Sequence, residues 1–160
     1  MKQSLAIVLG LLLLFSTAAC SNVAGEQNVQ TGLYQISVPK DWGAEKLEGN
    51  MLLFKKDHGK IGGLDILVYD PDQPLSQLEP NHSEVLESKK LEGSFTEVLQ
   101  EKLKITPPAA SGATSATEEI HLFFIMKEQR NAYDLYFDTS RVDEQTALTI
   151  AKSFKLTQNP

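Results

Sequence analysis

Apolar and polar residues alternate through Tyr34-Gln35-Ile36-Ser37-Val38 until Pro39. That two-residue period, stopped by a residue with no amide hydrogen to give a ladder, predicts a half-buried strand with Tyr34, Ile36 and Val38 inward. Lys40-Asp41-Trp42-Gly43 then turns the chain, with the single tryptophan placed to pack over one end of a sheet. Residues 51–55 and 64–69 read as further strands, joined through the turn formers Lys56-Asp57-His58-Gly59-Lys60. Gly62-Gly63 signals a bulge or a close backbone approach.

Residues 70–82 carry Pro71, Pro74 and Pro80 and read as a long loop with one helical turn near 75–78. In residues 85–91 and 97–105 the apolar spacing fits both periods, and the strand reading is preferred. Residues 107–117 are small and polar, a loop with little to bury. The sharpest pattern follows: Ile120-His121-Leu122-Phe123-Phe124-Ile125-Met126, a turn, then Tyr133-Asp134-Leu135-Tyr136-Phe137. It predicts an antiparallel hairpin with Ile120, Leu122, Phe124 and Met126 on one face. Ala147, Ile150, Ala151 and Phe154 form a stripe at helical spacing over residues 143–154, with Asp143 as N-cap and Val142 packing back on Ala147. An antiparallel β-sheet with a C-terminal helix packed on one face makes the fold class α+β.

The N-terminal end follows another logic. Lys2 precedes an apolar run from Leu5 to Phe15 that closes on the small residues Ser16-Thr17-Ala18-Ala19, directly before Cys20, the one cysteine in 160 residues. The run is shorter than the roughly 20 residues of a membrane-spanning helix, which favours a cleaved export signal. A lone thiol forms no intramolecular disulfide, so Cys20 has another use. Thr17-Ala18-Ala19-Cys20 resembles the lipobox of bacterial lipoprotein precursors. That resemblance implies a diacylglyceryl thioether on Cys20 and cleavage before it. The expected organisation is therefore a signal peptide over 1–19, a lipidated cysteine and flexible tether over 20–31, and a single α+β domain over 32–158.

Without the signal, 14 Lys+Arg stand against 21 Asp+Glu, a balance of −7. This acidity argues against nucleic acid as a partner and against electrostatic docking on anionic lipid. Two acyl chains, at about 0.8 kcal/mol per buried CH₂, give stable anchoring without a spanning helix. The expected location is the cell membrane or outer membrane, with the domain facing away from the cytoplasm.

The run Gly32-Leu33-Tyr34-Gln35-Ile36-Ser37-Val38-Pro39-Lys40-Asp41-Trp42, together with Ser140-Arg141-Val142-Asp143 leading into a helix that ends at Ser153-Phe154, resembles PsbP-like domains. These pair an antiparallel sheet with flanking helices, and they include photosystem accessory proteins and a nuclear-import factor that binds a small GTPase. The resemblance implies a fold and leaves function open.

Candidate chemistry is sparse. His58, His82 and His121 share no spacing that presents two of them to a metal. Asp70 and Asp72 flank Pro71 and read as turn-shaping residues, since further oxygen ligands are missing at the offsets a cation needs. Glu118 and Glu119, adjacent in a strand, point to opposite faces and make no carboxylate pair. Asn81-His82-Ser83 matches a glycosylation sequon by accident of composition. Ser83 and Ser111 lie outside any nucleophile elbow, and no phosphate-cradling glycine loop follows a strand. No catalytic, metal or cofactor site is assigned. The expected role is a noncatalytic accessory or binding module with an envelope protein as partner. The alternatives are a small-ligand carrier with a pocket between sheet and helix near Trp42, and an envelope hydrolase with His82 or His121 in its site.

Overall fold

The computed structural model describes residues 25–92, 97–112 and 115–157. The expected signal peptide, and Cys20 with it, lie outside the described residues.

Seven antiparallel strands build the main sheet: β3 (Gly43–Lys46), β4 (Leu52–Lys56), β5 (Gly59–Val68), β6 (Ser83–Leu91), β7 (Glu97–Ile105), β8 (Thr117–Met126) and β9 (Asn131–Asp138), in the spatial order β3-β4-β5-β9-β8-β7-β6. A second, three-stranded sheet has β2 (Tyr34–Pro39) between β1 (Glu26–Gln30) and β10 (Lys155–Leu156). The helix α1 (Glu144–Ser153) lies on β2, β8 and β9. The α+β class holds, with two sheets in place of one.

The tether expected over 20–31 is corrected for its last part. Val29 is buried, and Glu26 to Gln30 pair residue for residue with Pro39 to Gln35. The segment has only one apolar side chain, so hydrophobic alternation could not reveal it. Main-chain hydrogen bonds to β2, closed by Lys40 N–H to the Gly25 carbonyl at 2.8 Å, hold it in place. The short β3 and β10, which carry almost no apolar pattern, were likewise invisible in the sequence.

The remaining elements follow the pattern. In β2 Tyr34, Ile36 and Val38 are buried and the residues between them half-buried. Both ambiguous segments are strands, and Leu75–Leu78 is a single 3-10 turn. Asp57 and His58 both have positive φ, at 49° and 64°, as a two-residue type I′ hairpin requires. Asp143 caps α1, its Oδ1 accepting from the Thr146 N–H at 2.8 Å, and Val142 and Ala147 share the core beneath it. The core face of the sheet carries Leu52, Phe54, Leu64, Leu122, Phe124, Leu135 and Phe137, covered by α1 and β2. Phe154 seals this layer, stacked on Phe124 with ring centroids 4.4 Å apart.

The opposite face is also buried. Phe123, Ile125, Ala132 and Leu99 form a second cluster with Tyr69 and Leu78, roofed by the loop over 70–82. Gln77 braces that loop: its Nε2 donates to the Asp70 carbonyl at 2.8 Å and its Oε1 accepts from the Asp70 N–H at 2.9 Å. Trp42 packs at the edge of the core face against Phe54 and Phe137.

Gly62 and Gly63 meet the close approach expected of them. A Cβ on Gly63 would sit 2.7 Å from the Leu52 carbonyl oxygen and from the Tyr136 hydroxyl, and one on Gly62 would collide with the Tyr136 carbonyl. Gly62→Ala should therefore cost about 2 kcal/mol or more, measured as a lowered urea midpoint with unchanged slope, because backbone and not a flexible side chain must give way.

Candidate functional site

Register brings together what the sequence keeps apart. His121 on β8 faces Tyr136 on β9 and Glu101 on β7, and Asp134 lies on the diagonal, all on the outer face of the sheet. Asp65 on β5 faces Asp134, and Lys60 lies beside Tyr136, its Nζ 5.0 Å from the ring centroid. The result is a row of ionisable side chains across five strands, ending at Ser88 on β6, whose Oγ donates to Glu101 Oε1 at 2.9 Å.

At the centre His121 is 2% exposed and Asp134 4% exposed. His121 Nδ1 donates to both Asp134 carboxylate oxygens, at 2.9 and 3.0 Å, and Nε2 donates to Glu119 Oε2 at 3.2 Å. A neutral imidazole has one N–H; a ring donating from both nitrogens is the imidazolium. Burial alone would lower its pKa, but the charge and hydrogen bond of Asp134, then those of Glu119, override burial and hold it up at about 9. Burial pushes the Asp134 carboxyl up, and the imidazolium opposes that push. Phe123 and Tyr136 stack on the two sides of the His121 ring, with centroids 5.6 and 5.5 Å away. Burial likewise raises Glu101, 6% exposed, whose Oε2 has no hydrogen-bond partner.

A His–Asp pair of this geometry resembles half of a catalytic triad, yet both nitrogens of the ring are spent on carboxylates and no face of it is open to a substrate. What the arrangement does is neutralise three buried carboxylates in part, at the centre of a sheet buried on both sides.

The other sequence candidates fall elsewhere. His58 and His82 are exposed at positive φ, in the β4–β5 turn and before β6, far from His121 in the strand order. Glu118 and Glu119 point to opposite faces as expected, Glu118 to Lys102 Nζ at 2.7 Å and Glu119 to His121. Asp70 Oδ1 accepts from the Asp72 N–H and from Arg130 Nη2 at 2.9 Å, so it shapes the turn and ties it to the β8–β9 turn. Ser111 Oγ donates to the Pro108 carbonyl. Trp42 is buried among Phe54 and Phe137, so it belongs to the core and walls no pocket. Among the described residues no group of three or more His, Cys, Asp or Glu is arranged to hold a metal, and no helix is long and apolar enough to cross a membrane.

A recess does lie between sheet and helix, but at the N-terminus of α1. It has a volume of about 240 Å³ and is lined by Glu87 and Lys89 of β6, Gln100 and Lys102 of β7, and Asp143 and Glu144 at the start of the helix. Glu144 Oε1 accepts from Lys89 Nζ and from Gln100 Nε2, both at 2.8 Å.

No protein-family model matches the chain, and no curated protein does. Among solved structures, the solution structure of cyanobacterial PsbP (CyanoP) from Synechocystis sp. PCC 6803 is similar, with a TM-score of 0.52 and 12% identity over 89% of this chain and 98% of that one. This chain has a PsbP-like fold. At 12% identity the likeness is one of architecture: a PsbP-like antiparallel sheet with a C-terminal helix, on which this chain places its own side chains.

Sequence reasoning missed Asp134, Glu101 and Asp65 as partners of His121. The signal was present in β8, where Phe123 and Ile125 accompany His121 on the face opposite Leu122 and Phe124. A strand apolar on both faces is buried on both, so any ionisable residue within it needs a partner on a neighbouring strand.

Because the folded pKa of His121 lies above the ordinary 6.5, the stability it contributes is fully present below about pH 6.5 and is lost as pH rises through about 9. Urea unfolding followed by Trp42 fluorescence should show stability falling over that window, by on the order of 3 kcal/mol. His121→Leu should cost about 3–5 kcal/mol by stranding Asp134, and His121→Leu with Asp134→Leu should cost less and remove the pH dependence.

Proposed function

We propose that this protein is a lipid-anchored component of the cell envelope whose PsbP-like domain acts as a noncatalytic accessory or binding module. The observation that carries the reading is the fate of the His121–Asp134 pair. Its hydrogen-bonding capacity is consumed inside the sheet, by Asp134 on one nitrogen and Glu119 on the other, and Phe123 and Tyr136 close over the ring. A group with the chemistry of a general base is used to complete a core, and a domain built that way offers surfaces.

The anchor rests on the sequence: the apolar run, the small-residue close and the lone Cys20. Two acyl chains hold a domain at a bilayer indefinitely, and the value of such anchoring to a binding module is local concentration. A partner in the same membrane is met at an effective concentration far above its bulk value, so weak contacts suffice. The neighbour's name adds nothing to this identification beyond the fold.

Detergent phase partitioning should place the wild-type protein in the detergent phase and move Cys20→Ala, exported behind an ordinary signal peptide, to the aqueous phase. Crosslinking in intact cells should recover a reproducible envelope protein with the wild type and much less of it with the unanchored variant. Equal partitioning of the two proteins would remove the lipid from the reading. Hydrolase turnover that His121→Leu abolishes, in a protein still folded, would replace the module by an enzyme.

A further inference from the structure

The recess at the start of α1 has an imbalance that its own residues do not resolve. Gln100 is 5% exposed, and its Oε1 is buried without a hydrogen-bond partner, while its Nε2 is committed to Glu144 Oε1. That commitment fixes the amide's orientation, since turning it over would set an oxygen against a carboxylate. Lys89 also bonds Glu144 Oε1, which leaves Oε2 outside both bonds. Glu144 is ionised well below the ordinary glutamate range, held there by its hydrogen bonds from Lys89 and then Gln100.

The nearby donors are spent. Lys102 pairs with Glu118, and the Thr139 hydroxyl donates to the Glu118 carbonyl. Asp143, the other acid at the helix start, is occupied as the cap, so it neither competes for a guest nor counts towards one. Glu87, opposite Lys102 in the register, takes part in no ion pair among the described residues. The recess therefore holds surplus acceptors, one of them buried, and an anion is disfavoured there despite the helix N-terminus.

We propose that this recess binds a cationic N–H donor group, an alkyl guanidinium or ammonium, supplied by a basic side chain of the module's partner. The planar guanidinium fits best, because it can donate to Gln100 Oε1 and to Glu144 Oε2 at once, satisfying a buried acceptor and a carboxylate in the same step. The side chains of Ile120 and Val142 also line the recess and give the methylenes of such a residue an apolar bed. An unpaired buried carbonyl is costly, so filling it is where the selectivity arises. This inference rests on the binding-module reading and names the chemistry of its partner.

The test is a titration of the full-length, isotope-labelled protein in detergent micelles with L-argininamide, followed by NMR of the Gln100 side-chain amide and the Glu144 N–H. Saturable shifts at both are expected, with none from L-citrullinamide, the neutral analogue of the same shape. Glu144→Gln, which keeps the shape of the helix start, should weaken binding about tenfold, as loss of a charge-assisted hydrogen bond predicts. Gln100→Leu should do the same in a protein whose remaining spectrum is unchanged. An arginine-containing blocked peptide binding no more weakly than argininamide supports a protein side chain as the source; binding of the free amide alone overturns that part. Absence of saturable shifts, equal response to citrullinamide, or equal affinity in Glu144→Gln overturns the site. A crosslinked partner recovered despite such a failure would leave the module reading intact and this recess outside it.

Discussion

Because β8 and β9 carry large apolar side chains on both sides of the sheet, the fold needs two covers, and the rest of the chain supplies them. On one side Leu122, Phe124, Leu135 and Phe137 lie beneath α1 and the small sheet; on the other, Phe123, Ile125 and Ala132 lie beneath the loop over 70–82. The hairpin can recruit both covers because its two strands sit at the centre of the seven, with β5 on one flank and β7 on the other. Burial of this kind is the dominant favourable term, and it requires that no polar group in the hairpin be left unpaired. His121 and Asp134 meet that requirement jointly: each would be intolerable alone at this depth, and each is the other's compensation.

Only half of the outer face is apolar. Towards the β4–β5 turn it passes into the ionisable row from Lys60 to Ser88, where Asp65 is raised first by burial and then by the charge of Asp134. A run of carboxylates so close together is held by few positive charges, His121 and Lys60 among them. The row is therefore a place where the sheet gives up stability for a fixed register: moving β8 by one residue would carry His121 to the core face and separate it from both its carboxylates. Polar groups that are costly when mispaired penalise every alternative pairing of the central strands.

Much of this was legible in the sequence and some was not, for physical reasons. Strands with one apolar face announced themselves, as Tyr34, Ile36 and Val38 did in β2, and α1 was marked at its start by Asp143 and along its length by Ala147, Ile150 and Ala151. Elements held by backbone hydrogen bonds alone left no trace: β1 carries a single buried side chain, Val29, and β10 is two residues long. The candidate site was harder again. His121 was visible as a residue but not as a pair, because Asp134 and Glu101 reach it only through register, which depends on turn lengths and on the bulge between Val85 and Glu87 as much as on pattern. The unpaired Gln100 oxygen is a property of three dimensions with no counterpart in the sequence.

The pairing of β1 has one more effect. Six residues, not twelve, separate Cys20 from the first residue locked into the sheet, a reach of about 20 Å when fully drawn out. The point of emergence is defined as well: Gly25 is bonded to Lys40, Asp41 meets Lys56, and Gly59 beside the β4–β5 turn lies against Arg141. With a lipid on Cys20 the molecule would have a near end and a far end. The near end would carry the β4–β5 turn, close to the headgroups. The far end would carry the β8–β9 turn and its Arg130–Asp70 tie, so a partner approaching from the aqueous side would meet the loop over 70–82 first. A strand of five residues thus acts as a compass, converting a tether that would let the domain tumble into one that gives it a heading.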